Sequence, residues 1–374
     1  MRIKEKPEDF VVIEKTNFSI AEPSKYYDQF KFMGIKDNGI PGDYTIYVLK
    51  KKNLSTTQAI KIIAKQFRLS KYRISFSGEK DKKAITYQLI SIYKGPKKSM
   101  FLDNLELYYI GLSDKPVKLG SHLGNYFEIK VYAESPKGFD VFPNYFDVQR
   151  FGDKRLVNHL IGKHLIKNEC EEAAKILLTF VGKESKKTIK VRQLIKEYWN
   201  NIEKLKKVIP LMPKALDIEK AYLQSFIEKK DYCKAFKAIP KWILMLFIHS
   251  YQSYIFNETL KMYLKNKTKI IKIRDLLEFY FADYYENIEI PLIGYKVNAK
   301  GEIKEIIDYL LDKEGITIEM LKNKKVVGTY RKGFQKMYDL KIKKNQKWLT
   351  KFYLEKGSYA TVAIRSLFLE PIDF

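Results

Sequence analysis

FSGEKDKKAITYQ, residues 76–88, reads as a polar loop between two strand-like runs, one ending at Phe76 and the next beginning near Thr86. The loop carries Asp81 among Lys80, Lys82 and Lys83. Neighbouring cations favour an ionised carboxylate, which leaves Asp81 charged for nucleophilic or electrostatic work. Gly78 allows a tight turn or the close approach of a ligand. The plainer alternative is a solvated turn whose Asp and Lys make ordinary surface pairs, and composition alone favours it.

Outward from this loop, residues 10–14, 44–49, 88–93 and 126–132 alternate or are rich in β-branched and aromatic side chains, so the first 150 residues predict a mixed sheet. One helix interrupts it, with Ser55 or Thr56 as N-cap and Ala59, Ile60, Ile63 and Phe67 at helical spacing, and it is expected to cover one sheet face. After Gly152 the pattern turns to long amphipathic stretches, roughly 153–182, 188–207, 217–229 and 231–265. Strand-like segments return at 269–273, 289–297, 324–330 and 358–364. The lysine-rich stretches 183–192 and 341–347 read as solvated faces. Two β-rich ends therefore flank a helical middle.

The chain has 374 residues, room for two domains, and its 45% hydrophobic content supplies packed cores for both. Seventy Lys and Arg, only nine of them Arg, against forty-four Asp and Glu leave a net charge of +26. Such a surface suits a polyanion, and nucleic acid is the expected partner, although a thermophilic source would also enrich lysine. The longest apolar run, 242–248, is too short for a bilayer, and MRIKEKPEDF lacks a signal-peptide core, so a cytoplasmic protein is expected. Cys170 and Cys233 are too few and too distant for a disulfide framework, and the four histidines show no ligand pattern, so reduced thiols and no structural metal are expected. No phosphate-binding G-x-x-x-x-G-K-[ST] loop, dinucleotide G-x-G-x-x-G, G-x-S-x-G elbow or H-E-x-x-H occurs. Chemistry done by side chains on a bound polyanion, without a nucleotide cofactor, is what remains.

Gly78, Lys80, Asp81, Lys82, Ala84, Thr86 and Gln88 fit G-x-K-D-[KR]-x-A-x-T-x-Q, and this pattern resembles the signature of the TruD family of tRNA pseudouridine synthases. PEDFVVIE (7–14), LGNYF (123–127), FPNYFDVQRFG (142–152), HSYQSYIFN (249–257), PLIG (291–294), GTYR (328–331) and GSYATVAIR (357–365) are similar to further blocks of that family, in its order. Asp147 stands where the family usually has Gly, and Glu355 and Ser366 replace its usual Pro and Glu, which puts local backbone shape in question.

The resemblance implies an α+β fold: a mixed, antiparallel-rich catalytic sheet domain from 1–155 plus 331–374, interrupted by a mainly helical TRUD-specific domain at 156–330, with the site in the cleft between them. It implies isomerisation of a uridine to pseudouridine in tRNA, at position 13, by an Asp nucleophile and with neither redox cofactor nor ATP. Asp81 takes the carboxylate role. Phe10, Asn125 and Tyr359 correspond to substrate-contacting positions and Phe127 to an aromatic beside the base, while Lys4 and Lys80 are candidates to pair with Asp81 or a phosphate. Base stacking on such rings is typically worth about 1–3 kcal/mol; their bland alternative is core packing. Arg150 is read as either a buried structural pair or a backbone clamp, the structural role being favoured, and His249 as a satisfied residue on a packing helix that carries Phe247, Tyr251 and Tyr254 on one side. The rival reading is a noncatalytic RNA-binding or RNA-chaperone protein on the same scaffold.

Overall fold

In the computed structural model, which describes residues 1–152 and 154–373, the chain forms two compact units, Met1–Phe142 with Gln335–Phe374, and Pro143–Phe334. Asp153, at the head of the helical stretch expected from 153, lies outside the described residues.

Among the described residues, nine strands of the first unit form one sheet: β1 Phe10–Lys15, β2 Tyr44–Lys52, β3 Ile74–Phe76, β4 Ile85–Tyr93, β5 Met100–Leu102, β6 Leu105–Ser113, β7 Gly124–Val131, β8 Tyr338–Lys344 and β9 Trp348–Glu355. Their order is β8-β9-β7-β1-β4-β2-β6-β5, with β3 also paired to β4. The sheet is mixed because β1 runs parallel to β4 and antiparallel to β7. Helix α1, Thr56–Gln66, starts at a capping box in which Ser55 accepts from the Gln58 amide and Gln58 returns the bond. Its Ala59, Ile60, Ile63 and Ala64 pack on Tyr47, Leu49, Ile90 and Ile92, so it covers one face of β2 and β4, as expected. Ile46, Val48 and Leu89 point to the opposite face, where Tyr27, Phe30 and Met33 close the core.

The second unit is mainly helical and centred on α2, Lys241–Lys267, which begins directly after Pro240. Its buried residues include Phe247, Tyr251, Ile255, Phe256 and Leu260, so it is enclosed by its neighbours instead of presenting a single apolar stripe. Gly162 lets the helix Asn158–Ile166 approach closely: a Cβ there would sit 2.0 Å from the Phe247 carbonyl oxygen.

Several expectations need correction. The 153–182 stretch is two helices, Asn158–Ile166 and Cys170–Thr179, parted by Asn168 in the left-handed region at φ 60°. The 188–207 stretch breaks between Glu197 and Ile202, and 231–265 breaks at Pro240. Residues 358–364, expected as a strand, instead run through the N-cap Tyr359 into helix α3, Ala360–Phe368. Gly357 turns the chain at φ 87°, and Val362, Ala363, Ile364, Leu367 and Phe368 then bury at helical spacing. Tertiary burial overrode the β-branched composition. Lysines 341, 343 and 344 lie on β8, an edge strand of the sheet, where charge discourages further pairing. Cys170 and Cys233 form a disulfide: 63 residues apart in sequence, they lie in the first turns of two helices, Cys170–Thr179 and Tyr232–Ala235, whose packing brings the Cα atoms within 5.1 Å. Asp147, in place of a family glycine, has φ −99° and caps Val148–Phe151 by accepting from the Val148 amide, so the backbone there needs no glycine.

Candidate active site

Sheet register assembles the neighbourhood of Asp81. Across β1 and β7, Glu14 lies opposite Asn125 and Val12 opposite Phe127; across β1 and β4, Val12 lies beside Thr86. Across β2 and β4, Lys51 faces Thr86 and Leu49 faces Gln88. Side chains alternate along a strand, so Phe10, Glu14, Lys51, Gln88, Asn125 and Phe127 share one face, the face that α1 covers further along.

The loop 77–84 is fastened to that face almost residue by residue. Ser77 donates its hydroxyl to Glu14, and its carbonyl accepts from the Gly120 amide at 2.6 Å. The Gly78 carbonyl accepts from Gln88 Nε2 at 3.1 Å, and Gln88 Oε1 accepts from the Thr56 hydroxyl at 3.0 Å, which in turn accepts the Lys80 amide at 3.1 Å. Lys51 Nζ reaches the carbonyl oxygens of Asp81 at 2.8 Å, Lys80 at 3.3 Å and Leu54 at 2.7 Å. The loop backbone around Asp81 is thus pinned by one buried ammonium.

Lys4 Nζ donates to Asp81 Oδ1 at 2.9 Å and lies 3.8 Å from the centroid of the Phe10 ring. Phe10 and Phe127 are buried and meet edge to face at 6.1 Å, and Phe127 stacks on Phe352 at 5.6 Å. Lys80 turns the other way, donating to Asn125 Oδ1 at 2.9 Å and pairing with Glu14 at 3.1 Å. The Asp81 side chain keeps 28% of its surface open, and the charge pair it makes with Lys4 stays within reach of a ligand. Tyr359, near the other end of the chain, is the N-cap residue of α3. Gly78 has no positive φ, and a Cβ there would touch His122 at 3.7 Å, so its backbone makes no demand for glycine.

Sequence reading missed three contributors. Glu14, almost wholly buried, anchors both Ser77 and Lys80; its place in PEDFVVIE was the available signal. Lys51 has burial pushing its ammonium down to about 8, against the attraction of Asp81 and Glu79. His122 is held below its ordinary value by desolvation and then by the Lys80 charge, and its Nδ1 is buried without a hydrogen-bond partner. Neither residue stands in a recognisable pattern.

Residues 1–279 and 272–367 match the sequence profile of tRNA pseudouridine synthase D (TruD). The chain belongs to the TruD family. A TruD relative from Aquifex aeolicus, named tRNA pseudouridine synthase D, is 32% identical over 408 residues, covering 100% of this chain and 99% of its own. A protein named for the same activity from Pyrococcus abyssi is 30% identical, covering 98% of this chain and 95% of its own. The crystal structure of a protein named as TruD from Methanosarcina mazei superposes with a TM-score of 0.72 at 27% identity, covering 98% of this chain and 93% of that one. Both the TruD sequence profile and the TruD fold therefore extend through both units. Among the described residues, no helix is long and apolar enough to cross a membrane.

Proposed function

We propose that this protein isomerises a uridine of tRNA to pseudouridine, with position 13 as the target and Asp81 as the carboxylate that acts at the ribose. The reaction breaks the bond from uracil nitrogen to the sugar, turns the base and rejoins it through carbon; the proton leaving that carbon is balanced by one gained at the nitrogen. It needs a base swung out of its stack, an apolar wall to hold the detached ring and polar groups that read its edge.

The observation that carries this reading is the pairing of Asp81 with Lys4 beside the Phe10–Phe127 aromatic pair. Lys4 orients the carboxylate, and Phe10 and Phe127 form the back of the apolar wall. Asn125 already accepts from Lys80 at its oxygen, which leaves its amide nitrogen to donate to a uracil carbonyl. Tyr359 adds a stacking face. Lys80 acts through Asn125 and Glu14. The lysine-rich helices within 156–330 supply sequence-independent contacts to phosphates, in keeping with the net charge of +26.

Incubation of the wild-type protein and Asp81→Asn with unmodified tRNA, followed by chemical mapping of pseudouridine, tests the reading. Product at position 13 is expected from wild type and none from the variant, with RNA binding retained in both. Equal product from both proteins defeats the nucleophile assignment. Absence of product from wild type on every tRNA would turn the choice to the RNA-chaperone reading.

A further inference from the structure

The blocks at 142–152, 249–257, 291–294 and 328–331 are not among the residues gathered around Asp81. They meet instead within the second unit, around a cavity of about 390 Å³, a size that suits a small ligand. Phe146 and Arg150 come from the first block, His249 from the second, Leu292 from the third and Thr329 from the fourth; Lys325 stands beside them. Among the described residues, no acidic side chain lines the space.

Two arginines contact the same Phe146 ring and differ in how their donors are used. The Arg331 guanidinium, 4.0 Å from the ring centroid, donates to the Asn144 carbonyl at 2.9 Å and to its side-chain oxygen at 2.8 Å, which fixes it as part of the frame. The Arg150 guanidinium, 5.1 Å from the same centroid, has a buried Nε with no hydrogen-bond partner. Of the two readings expected for Arg150, the structural pair lacks the acceptor it would need at Nε. A buried donor left without an acceptor is costly, so an acceptor supplied by a ligand is the economical explanation. His249, expected as a packed residue, lines the cavity and is open to solvent. Its imidazole lies below the ordinary value through partial desolvation and the nearby Arg150 charge, so near neutral pH it offers one donor and one acceptor.

We propose that this cavity binds one nucleotide of the RNA substrate other than the uridine that is isomerised. The phosphate rests on Arg150 and Lys325, the base lies against the apolar wall that includes Met245 and Val327, and His249 reads its edge. Cations placed for phosphate beside an apolar wall and a neutral hydrogen-bonding ring match the parts of a nucleotide. The inference rests on the tRNA reading above, for a different site.

The test is a salt titration of binding to an unmodified tRNA transcript by wild type, Arg150→Met and Lys325→Asn, with thermal melting of each. Methionine keeps the apolar stem of Arg150, and asparagine tolerates the left-handed backbone of Lys325 at φ 58°. Each variant is expected to bind about ten-fold more weakly, with a salt slope shallower by about 1 and an unchanged melting temperature. Wild-type affinity and slope in both variants would overturn the proposal. So would weakened binding by Arg150→Met that comes with a lowered melting temperature while Lys325→Asn binds normally, because Arg150 would then be structural. Pseudouridine formation is read separately: a wild-type protein that binds through these residues but makes no product counts against the catalytic reading and leaves the pocket standing.

Discussion

In the helical unit Arg192 is 1% exposed, and each of its nitrogens has an acceptor: Glu184 takes Nε at 2.8 Å and a terminal nitrogen at 3.0 Å, Glu219 lies at 2.8 Å, and the Leu177 carbonyl at 2.9 Å. Arg155 joins Glu219 at 3.2 Å, so two cations meet two anions. In the sheet unit Lys51 is also 1% exposed but touches only carbonyl oxygens. The consequence is visible in the protonation of each. Burial alone would lower the Arg192 value, yet the bonds to Glu184 and Glu219 outweigh it and raise it, whereas for Lys51 burial wins and the value falls to about 8. One cluster is electrostatically closed and belongs to stability. The other is left open beside a partly exposed carboxylate, in keeping with the role proposed for Asp81.

The sharpest way to break this contrast is to remove one charge from each. Asp81→Asn is expected to reduce pseudouridine formation by on the order of 10⁴ or more, as loss of a central catalytic group does, with thermal stability close to wild type. Single-turnover product mapping and a melting curve check it together; a large stability loss with residual activity would move Asp81 into the closed class. Arg192→Met should do the reverse. It leaves Glu184 and Glu219 short of a buried partner and is expected to cost about 3–5 kcal/mol in denaturant unfolding. Turnover per folded molecule should match wild type. A drop in turnover at unchanged stability would show that the clamp also serves the chemistry.

The same contrast explains what could be read in advance. Strands β1, β2, β4 and β7 and helix α1 were legible because alternation and capping are local. Helix α3 was not, since Ser358 to Ile364 has strand-like composition and only burial from both faces decides it. The Asp81 loop was legible through its motif, and Phe10, Asn125 and Phe127 through the blocks around it, while Lys4 was only one of two candidate lysines. Which lysine faces Asp81 was not, because that depends on register: Lys80 adjoins Asp81 in sequence but is drawn to Glu14 and Asn125, while Lys4, 77 residues away, makes the pair. Lys51 sits in a run of three lysines and only the fold distinguishes it. The disulfide between Cys170 and Cys233 is likewise a product of helix packing across 63 residues, which no spacing rule reports.

Lys51 is where the comparison can be sharpened with smaller effects. Lys51→Met removes the ammonium that holds the Lys80, Asp81 and Leu54 carbonyls and should loosen the loop. The expected loss in product formation is up to about 10²-fold, the scale of a misplacement near 1 Å, with tRNA affinity retained. Raising pH should reproduce part of this, more weakly, since a neutral amine still has two donors. The sign for stability follows from the two lysine values, 10.5 when unfolded and about 8 in the fold. Between them the unfolded chain holds a proton that the folded chain has released, so wild type gains stability relative to Lys51→Met as pH rises from about 8 toward 10.5, and the difference is flat below. The gain is bounded at ~3 kcal/mol by the size of the shift. Denaturant unfolding of both proteins across that range measures it, with the other titrating groups cancelling in the comparison. A difference that stays flat throughout would mean that three carbonyl oxygens satisfy a buried ammonium as fully as two carboxylates satisfy Arg192, and the distinction between an open and a closed cluster would then rest on Asp81 alone.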